Sequence, residues 1–275
     1  MMKIEYRCGE FCDKNENSQK IMDILEEEKI ECFKNGRYFY FCLHSDNHRA
    51  EEILGYLKER YSMEALFSNE EMENANWYTF EATRHDIETS DFDFTFKQSC
   101  PFQTELGTRY WHTVQVNPYV SKRIPKWKNN YNFCSVNTGD FYQIFCSDIA
   151  KTMIKNRGIK GIDFMPVINK QGLPTQNVSQ LVFSNILPRE AFDFIGEYRE
   201  IVCPFCAKIR YSFIHPMYDN MRVKTDLIPP GIDAFSAEMS VREGWIVPPV
   251  IVSKKIYNLV SKEMKEKHVR FYPIG

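Results

Sequence analysis

The stretch Cys100-Pro101-Phe102-Gln103 returns 103 residues later as Cys203-Pro204-Phe205-Cys206. An Arg-Tyr pair follows each copy, Arg109-Tyr110 after the first and Arg210-Tyr211 after the second. Further on, residues 144–167 align without a gap on residues 251–274, at an offset of 107. The two matches fall in the same order at nearly the same offset. They indicate an internal duplication that begins at about residue 96.

The gap-free alignment predicts one strand–helix–strand shape for both segments. The identical pairs are Ile144/Ile251, Ile149/Ile256, Lys155/Lys262, Lys160/Lys267, Phe164/Phe271 and Pro166/Pro273. A serine precedes each helical pattern, Ser147 in the first segment and Ser253 in the second, and each is expected to cap its helix. The first helix is expected to bury Ile149, Met153 and Ile154.

Length and composition favour a globular protein. The 275 residues allow one large domain or two ordinary ones, and 43% hydrophobic residues provide a core. The sequence has no run of 18 apolar residues, and residues 1–10 have no apolar stretch resembling a signal peptide. We therefore expect a cytoplasmic protein with no membrane partner. Nine cysteines fit reduced thiols or a metal site better than a disulfide framework.

Charge divides the chain at the start of the duplication. Residues 1–100 carry 22 acidic and 12 basic side chains, a balance of −10, and residues 101–275 carry 15 and 23, a balance of +8. This predicts an acidic module at 1–95, a first repeat with its connector at 96–199, and a second repeat at 200–275. Two interpretations stay open: the acidic module attracts a basic partner, or the two halves attract each other.

The acidic module has the pattern of a small α/β sandwich. A strand is expected at residues 3–7, a helix at 18–29 and a hairpin around Asn35-Gly36. A second helix is expected to bury a row of side chains at helical spacing: Ala50, Ile53, Leu54, Leu57 and Tyr61. Two further strands are expected at residues 77–83 and 92–96. The predicted fold class is α+β, with this sandwich followed by two duplicated strand–helix–strand repeats.

The cysteines of the repeated motif suggest a degenerate pair of zinc knuckles. A structural zinc needs four ligands, usually from two Cys-x-x-Cys turns. Cys203 and Cys206 form a complete turn, whereas the first copy keeps Cys100 and has Gln103 at the second position. The site is therefore a three-cysteine zinc site with a substitute ligand, or a remnant without metal. The candidates for the fourth ligand are Cys134, Cys146, His112 and His215. A redox role is the weaker interpretation, because no thioredoxin-type strand-to-helix context follows the motif.

A basic stretch in the first repeat surrounds a tryptophan. Residues 121–128 place four bases around Trp127. Interleaved bases and an aromatic ring can bind single-stranded nucleic acid, and a solvated loop with one anchoring tryptophan has the same pattern. The loop is the favoured interpretation, so nucleic acid is the less favoured partner.

The duplicated elements resemble the double-CXXCG motif proteins, a family related to immunity proteins of bacterial polymorphic toxin systems. The matching positions are Cys100, Cys203 and Cys206, then Cys146-Ser147 with residues 161–167, and Val252-Ser253 with residues 269–274. The resemblance covers about residues 94–275 and departs from the motif at Gln103, Thr104 and Ala207. It implies an immunity protein that binds and neutralises a cognate toxin and performs no chemistry.

The sequence also contains no phosphate-binding glycine loop, His-Glu-x-x-His helix or Gly-x-Ser-x-Gly elbow, which favours a binding protein over an enzyme. A basic toxin, such as a nuclease, would be steered by the acids of the first module. The expected toxin-binding residues are Glu26, Glu27, Glu28, Glu70, Glu71, Glu73, Asp91 and Asp93. The alternative function is a zinc-ribbon-like nucleic-acid-binding or regulatory protein that uses the basic repeats.

Overall fold

The computed structural model describes residues 3–11, 16–35, 38–57, 61–87, 91–98, 113–121, 125–128, 130–136, 143–194, 198–207, 209–213, 221–239 and 248–274. The chain divides into two compact units, Met1–Glu73 and Asn74–Gly275. Helices and several sheets occur together, so the architecture is α+β, as the sequence predicts.

The first unit is built on a four-stranded antiparallel sheet in the order β2-β3-β1-β4. Its elements in chain order are β1 (Lys3–Phe11), α1 (Glu16–Glu27), β2 (Cys32–Asn35), β3 (Tyr38–His44), α2 (Ala50–Leu57), β4 (Tyr61–Leu66) and α3 (Asn69–Asn74), which ends at the unit boundary. Asn35 pairs with Tyr38 across the predicted hairpin.

Both longer helices of this unit cover one face of the sheet. Phe39, Phe41 and Leu43 alternate along β3 and therefore share a face. They form one buried cluster with apolar side chains of α1 and α2, namely Ile21, Ile24, Leu25, Ile53 and Leu57. Of the row predicted for the second helix, Ala50, Ile53 and Leu57 are buried and Leu54 is partly buried. Hydrophobic burial fixes both helices on the sheet.

Three elements differ from the sequence prediction. The spacing places Tyr61 on the buried face of a helix, but α2 ends at Leu57 and Tyr61 begins β4, which pairs with β1. Residues 92–96 are predicted as a strand, but residues 92–95 form a helical turn. The turn is capped by Asp91, whose Oδ1 accepts a hydrogen bond from Phe94 N–H over 3.0 Å. The strand at residues 77–83, predicted for the acidic module, lies in the second compact unit.

The second unit contains strands, three α-helices and two 3₁₀-helices (Arg189–Ala191 and Thr225–Leu227) among its described residues. In chain order the strands and α-helices are β5 (Trp77–Ala82), β6 (His85–Ile87), α4 (Phe92–Thr95), β7 (Phe96–Gln98), β8 (Thr113–Gln115), β9 (Phe133–Val136), β10 (Ile144–Cys146), α5 (Asp148–Asn156), β11 (Asp163–Ile168), β12 (Pro174–Val182), β13 (Ile186–Leu187), β14 (Phe192–Phe194), β15 (Tyr198–Val202), β16 (Ile209–Phe213), β17 (Met221–Val223), β18 (Ala234–Ala237), β19 (Val250–Ser253), α6 (Lys254–Tyr257, continued as a π-helix over Asn258–Glu263) and β20 (Val269–Pro273).

Two five-stranded sheets with the same arrangement of strand directions form the frame of this unit. Their orders are β11-β12-β10-β9-β6 and β20-β5-β19-β18-β13. In each sheet the last two strands run parallel, and the other neighbours run antiparallel. In each sheet a helix joins the third strand to the first, α5 between β10 and β11 and α6 between β19 and β20.

We call β5 to β11 the first half of this unit and β12 to β20 the second half. Each sheet takes four strands from one half and its second strand from the other half. β5 precedes β6 directly in the chain, yet β5 lies in the second sheet and β6 in the first. Likewise β12 precedes β13 directly, and β12 lies in the first sheet while β13 lies in the second. Each half therefore contributes its first strand to the sheet of the other.

The hydrogen-bond registers of the two sheets correspond pair by pair. Phe164 faces Leu181 where Phe271 faces Phe80, and Phe145 faces Gln180 where Ile251 faces Thr79. The separation is 251 − 145 = 106 residues before the helix and 271 − 164 = 107 after it, so the second segment has one additional residue. The π-helix over Asn258–Glu263 accommodates that residue and keeps the following strand in register.

Ser147 and Ser253 hold equivalent positions at the helix starts. Ser147 Oγ accepts a hydrogen bond from Ala150 N–H over 3.1 Å and donates one to Asn132 Oδ1 over 2.7 Å. Ser253 has the N-cap conformation without a side-chain cap bond, and its hydroxyl donates to Asp233 Oδ1 over 3.0 Å. Ile149, predicted to be buried, is 65% exposed because Ala150 and Ile154 form the buried face of α5.

Among the described residues, no helix combines the length and the apolar character needed to cross a bilayer.

Candidate functional site

The complete cysteine motif lies at the end of the hairpin formed by β15 and β16, which we call the knuckle hairpin (residues 198–213). Val202 pairs with Ile209 at the last rung before the turn. Phe205 N–H donates to Cys203 Sγ over 3.4 Å, and Ala207 N–H donates to the Cys203 carbonyl over 3.0 Å. Ala207 has a φ of 56°, in the left-handed region that favours glycine. Ala207 therefore adopts a backbone conformation that glycine adopts more readily. The motif that this chain resembles has glycine at that position.

The knuckle turn fits a metal ligand pair but does not complete a site. A backbone N–H that donates to sulfur stabilises the thiolate that zinc requires. Structural zinc takes four ligands, and the described residues contain no group of three or more His, Cys, Asp or Glu placed to hold a metal ion. Cys203 is buried and Cys206 is exposed. The predicted partner Cys100 lies outside the described residues.

Two candidates for the fourth ligand are buried in the first sheet. Cys134 on β9 and Cys146 on β10 are both 0% exposed. Burial raises the pKa of the Cys146 thiol to about 12 and shifts the pKa of Cys134 in the same direction. In the metal-free protein both thiols are therefore neutral, and zinc binding would require their deprotonation. The other candidates, His112 and His215, lie outside the described residues.

The knuckle hairpin exposes apolar side chains beside the cysteines. Phe205, between the two cysteines, is 66% exposed, Val202 is 49% exposed, and Tyr198 at the far end of β15 is 41% exposed. The ring of Tyr198 packs on that of Phe194, with centroids 5.6 Å apart, so the base of the hairpin is joined to β14. Exposed aromatic side chains on a supported hairpin are the kind that anchor protein interfaces.

Trp127 of the basic stretch is partly buried and anchored by its neighbours. Its indole N–H donates to the Asn177 carbonyl over 2.5 Å, and its ring lies 5.3 Å from that of Tyr131. Trp127 also packs against the buried cluster of the first sheet. A ring with these contacts is not presented for base stacking.

Four of the predicted toxin-binding acids form contacts within the fold. Glu27 binds Arg49 over 2.5 Å, and Glu28 lies 3.6 Å from the His48 imidazole. Glu71 accepts hydrogen bonds from Ser68 N–H and Ser68 Oγ, a capping box at the start of α3. Asp91 caps α4, as described above. The remaining members are exposed: Glu26, Glu70, Glu73 and Asp93. The six glutamates lie in the first unit, whereas Asp91 and Asp93 lie in the second.

One serine–histidine contact in the structure was not singled out from the sequence. Ser135 Oγ lies 2.6 Å from His85 Nδ1, and the two residues pair across the parallel strands β6 and β9. Ser135 is 0% exposed, so its hydroxyl cannot reach a substrate. The contact is a cross-strand bond rather than a nucleophile with its base.

No protein-family model matches this chain, and no curated protein matches it either.

Proposed function

We propose that this chain is an immunity protein, which binds and neutralises a cognate bacterial toxin without catalysis. The observation that carries the proposal is the exposure of Phe205, which is 66% accessible at the end of the knuckle hairpin. Val202 and Tyr198 extend the apolar surface along β15. Aromatic anchors of this kind provide most of the binding free energy in protein interfaces. The sequence resemblance, which includes the cysteines of the same hairpin, supplies the class of partner.

The acidic first unit is proposed to steer a basic toxin, such as a nuclease. Glu26, Glu70 and Glu73 are exposed in this unit, whose residues 1–73 carry 17 acidic and 10 basic side chains, a balance of −7. Charges outside the central contact act chiefly on the rate of association. Neutralisation of a lethal toxin requires an affinity at or below about the nanomolar level, which corresponds to roughly 12 kcal/mol.

The proposal is tested by expressing the toxin gene adjacent to this gene in a sensitive host, with and without this protein. We expect rescue of growth and a complex that survives co-purification. Phe205→Ser should weaken the complex. Phe33→Ser is the matched control, because Phe33 is 67% exposed but lies in the first unit. Absence of both rescue and complex would end the immunity proposal and favour the nucleic-acid alternative. A complex that is equally sensitive to both substitutions would remove the special role of the knuckle hairpin.

We infer that the second unit arose by internal duplication, with exchange of the first strands. The two sheets share the arrangement and directions of their strands, and their hydrogen-bond registers correspond; both observations support this inference. The helix-joined strands also fall in the segments that the sequence alignment pairs. The duplication accounts for two cysteine motifs in one unit, one before β8 and one before β16.

We further propose that the two cysteine motifs descend from one zinc site and that zinc, where it is retained, is bound by Cys100, Cys203 and Cys206. The N–H···S bond within the knuckle turn supports a thiolate at Cys203. Elemental analysis of the purified protein tests occupancy. A cytoplasmic location is part of the same proposal, because reduced thiols are maintained there. Less than about 0.1 zinc per chain after purification without chelators would favour the metal-free remnant.

A further inference from the structure

A cavity of about 310 Å³ lies between α5 and the strands β11 and β12. Its lining includes Asp148, Lys151, Phe164, Pro166, Pro174 and Ser179. Lys151 Nζ donates a hydrogen bond to Ser179 Oγ over 3.0 Å and lies 5.5 Å from the centre of the Phe164 ring. The cavity thus has an aromatic wall with an ammonium group and a hydroxyl beside it.

The corresponding place in the second sheet is filled by three aromatic rings. Lys151 and Tyr257 are each the fourth residue of their helix, after Ser147 and Ser253 respectively. Ser179 faces Pro166 across the strands where Tyr78 faces Pro273, and Phe164 corresponds to Phe271. Tyr257 stacks on Tyr78 at 4.5 Å, and Phe271 meets Tyr257 edge-on at 5.3 Å. The first sheet keeps one of these three rings and replaces the other two by a lysine and a serine.

The ammonium groups of Lys151 and Lys155 both lie near the Phe164 ring, where they can attract an anion. The Lys155 ammonium lies 5.6 Å from the same Phe164 ring. Within the described residues, neither Lys151 nor Lys155 forms an ion pair with a carboxylate. An ammonium has three donors, and Lys151 uses one of them on Ser179. Asp148 and Lys151 are the charged residues of the lining, and Lys155, outside the lining, adds a second positive charge near the Phe164 ring, which favours an anion there.

We propose that this cavity binds a small ligand in which an aromatic ring carries an anionic group, such as an aromatic carboxylate. The ring would lie against Phe164, in the volume that Tyr257 fills in the second sheet. The anionic group would accept hydrogen bonds from Lys151. A cavity of roughly 150 Å³ holds benzene, so 310 Å³ accommodates a ring with its acid group. This activity is independent of toxin neutralisation, because it uses a different surface from the knuckle hairpin.

Titration of the full chain with benzoate and phenylacetate, followed by calorimetry and ligand-observed NMR, tests the proposal. We expect saturable binding to the wild type and binding at least about tenfold weaker to Lys151→Met, because one charge-assisted hydrogen bond is lost. Lys262→Met is the matched control, since the Lys262 ammonium lies 5.9 Å from the Tyr257 ring on the filled side. Its affinity for both acids should equal that of the wild type. Benzyl alcohol, which keeps the ring without the charge, should bind more weakly than benzoate.

A second variant closes the cavity with the side chains of the other half. Lys151→Tyr combined with Ser179→Tyr reproduces the Tyr257–Tyr78 pair and should abolish binding while circular dichroism shows a folded chain. If the double variant does not fold, the comparison of Lys151→Met with Lys262→Met decides. Absence of saturable binding of either acid to the wild type at about 10 mM would overturn the proposal. Unchanged affinity in Lys151→Met would overturn it equally.

Discussion

Tyr257 stacks on Tyr78 with ring centroids 4.5 Å apart and ring planes 12° from parallel. The contact joins α6, near the end of the second unit, to β5, near its beginning. Tyr78 is 0% exposed, and its hydroxyl donates to the Ala75 carbonyl over 2.9 Å. The aromatic cluster that Phe271 completes thus fixes β5 in the second sheet.

Truncation of this cluster should destabilise the second unit. We expect Tyr78→Ala to lower the free energy of unfolding by about 3–5 kcal/mol, because a buried ring and its packing are lost. Ile149→Ala serves as the control, since Ile149 is 65% exposed and should change stability by less than about 0.5 kcal/mol. Urea unfolding monitored by circular dichroism measures both values. Equal stabilities of the two variants would contradict the role given to Tyr78.

The strand exchange predicts that neither half of the second unit folds alone. A fragment of residues 172–275 lacks β5, which lies between β19 and β20 in the second sheet. A fragment of residues 1–171 lacks β12, which lies between β10 and β11 in the first. The cut falls in the exposed turn at Gln171 and Gly172. We expect the 172–275 fragment to be unfolded and to regain structure when it is co-expressed with its complement.

Gel filtration and circular dichroism of the separate and co-expressed fragments measure this outcome. The control is the uncut chain carrying Gly172→Ala, which changes the same turn without breaking it. Cooperative unfolding of the 172–275 fragment by itself would show that β5 is dispensable to the second sheet.

The two strand–helix–strand segments could be predicted from the sequence, whereas the sheet partners of β5 and β12 could not. The Phe164/Phe271 and Pro166/Pro273 pairs are in register in the structure as in the alignment. The alignment is shifted by one residue at the first strand, because the extra residue of α6 lies in its π-helical part. That shift also explains the misplacement of Ile149, which the alignment pairs with the buried Ile256. Alternation along a strand indicates its faces but not its neighbours, so the partners of β5 had no local signal.

The candidate sites were predictable to different extents. The cysteine spacing predicts a turn, and residues 203–207 form one that ends at Ala207 with a positive φ, whereas its role in metal binding stays a prediction. The cavity beside Lys151 had no sequence signal, since it exists because two aromatic positions of one half are Lys151 and Ser179 in the other. Lys151 and Ser179 can be recognised as the equivalents of Tyr257 and Tyr78 only when the strands of the two sheets are aligned by their hydrogen-bond register.

Gly161 should tolerate no side chain. Its φ is 94°, and a Cβ at this position would lie 2.3 Å from the Ala234 carbonyl oxygen. We expect Gly161→Ala to cost at least about 3 kcal/mol of stability, from backbone strain and the clash together. Gly172→Ala measures the backbone strain without a clash, because Gly172 has a φ of 78° and nothing lies within 4 Å of an added Cβ. It should cost about 1 kcal/mol. Thermal and urea unfolding of the two variants should separate them, and similar losses would disprove the close approach at Gly161.

Thiol reactivity should follow burial. Burial, with a smaller contribution from Cys42, raises the pKa of Cys8 to about 12, and burial raises the pKa of Cys146 to about 12. At pH 8 the thiolate population of these groups is on the order of 10⁻⁴, so a thiol reagent should spare both in the folded protein. The exposed Cys42 should react rapidly. Modification of Cys146 at the rate of Cys42, measured by peptide mass spectrometry, would contradict the prediction.

The same shifts predict a loss of stability at high pH. The raised pKa values mean that thiols in the unfolded chain ionise first, near their ordinary value of 9.0, while the folded thiols ionise near 12. Stability from these groups is therefore complete below about pH 9 and declines as the pH rises through this window. Cys8→Ala together with Cys146→Ala should reduce that decline in a series of urea unfolding curves. The exposed-site control Cys42→Ala should change the decline far less, through its small contribution to the pKa of Cys8.

Association with the toxin should depend on salt through the first unit. Glu26 and Glu70 are exposed there, whereas Glu27 is bound to Arg49 and Glu71 caps α3. The double reversal Glu26→Lys and Glu70→Lys should slow association with a basic toxin about tenfold at low ionic strength and change dissociation by less than about twofold. The difference from wild type should shrink as salt shortens the screening length to about 3 Å at 1 M.

Glu190→Lys is the control for this prediction, since Glu190 is also exposed but lies in the second unit. Its single reversal should alter the association rate far less than the double reversal, because long-range steering depends on the field of the acidic unit as a whole. Surface plasmon resonance at several salt concentrations separates the two rates. If the double reversal instead accelerates dissociation at every salt concentration, Glu26 and Glu70 lie within the central contact. If neither rate changes, the acids merely solvate α1 and α3, and the binding surface must be sought at the knuckle hairpin alone.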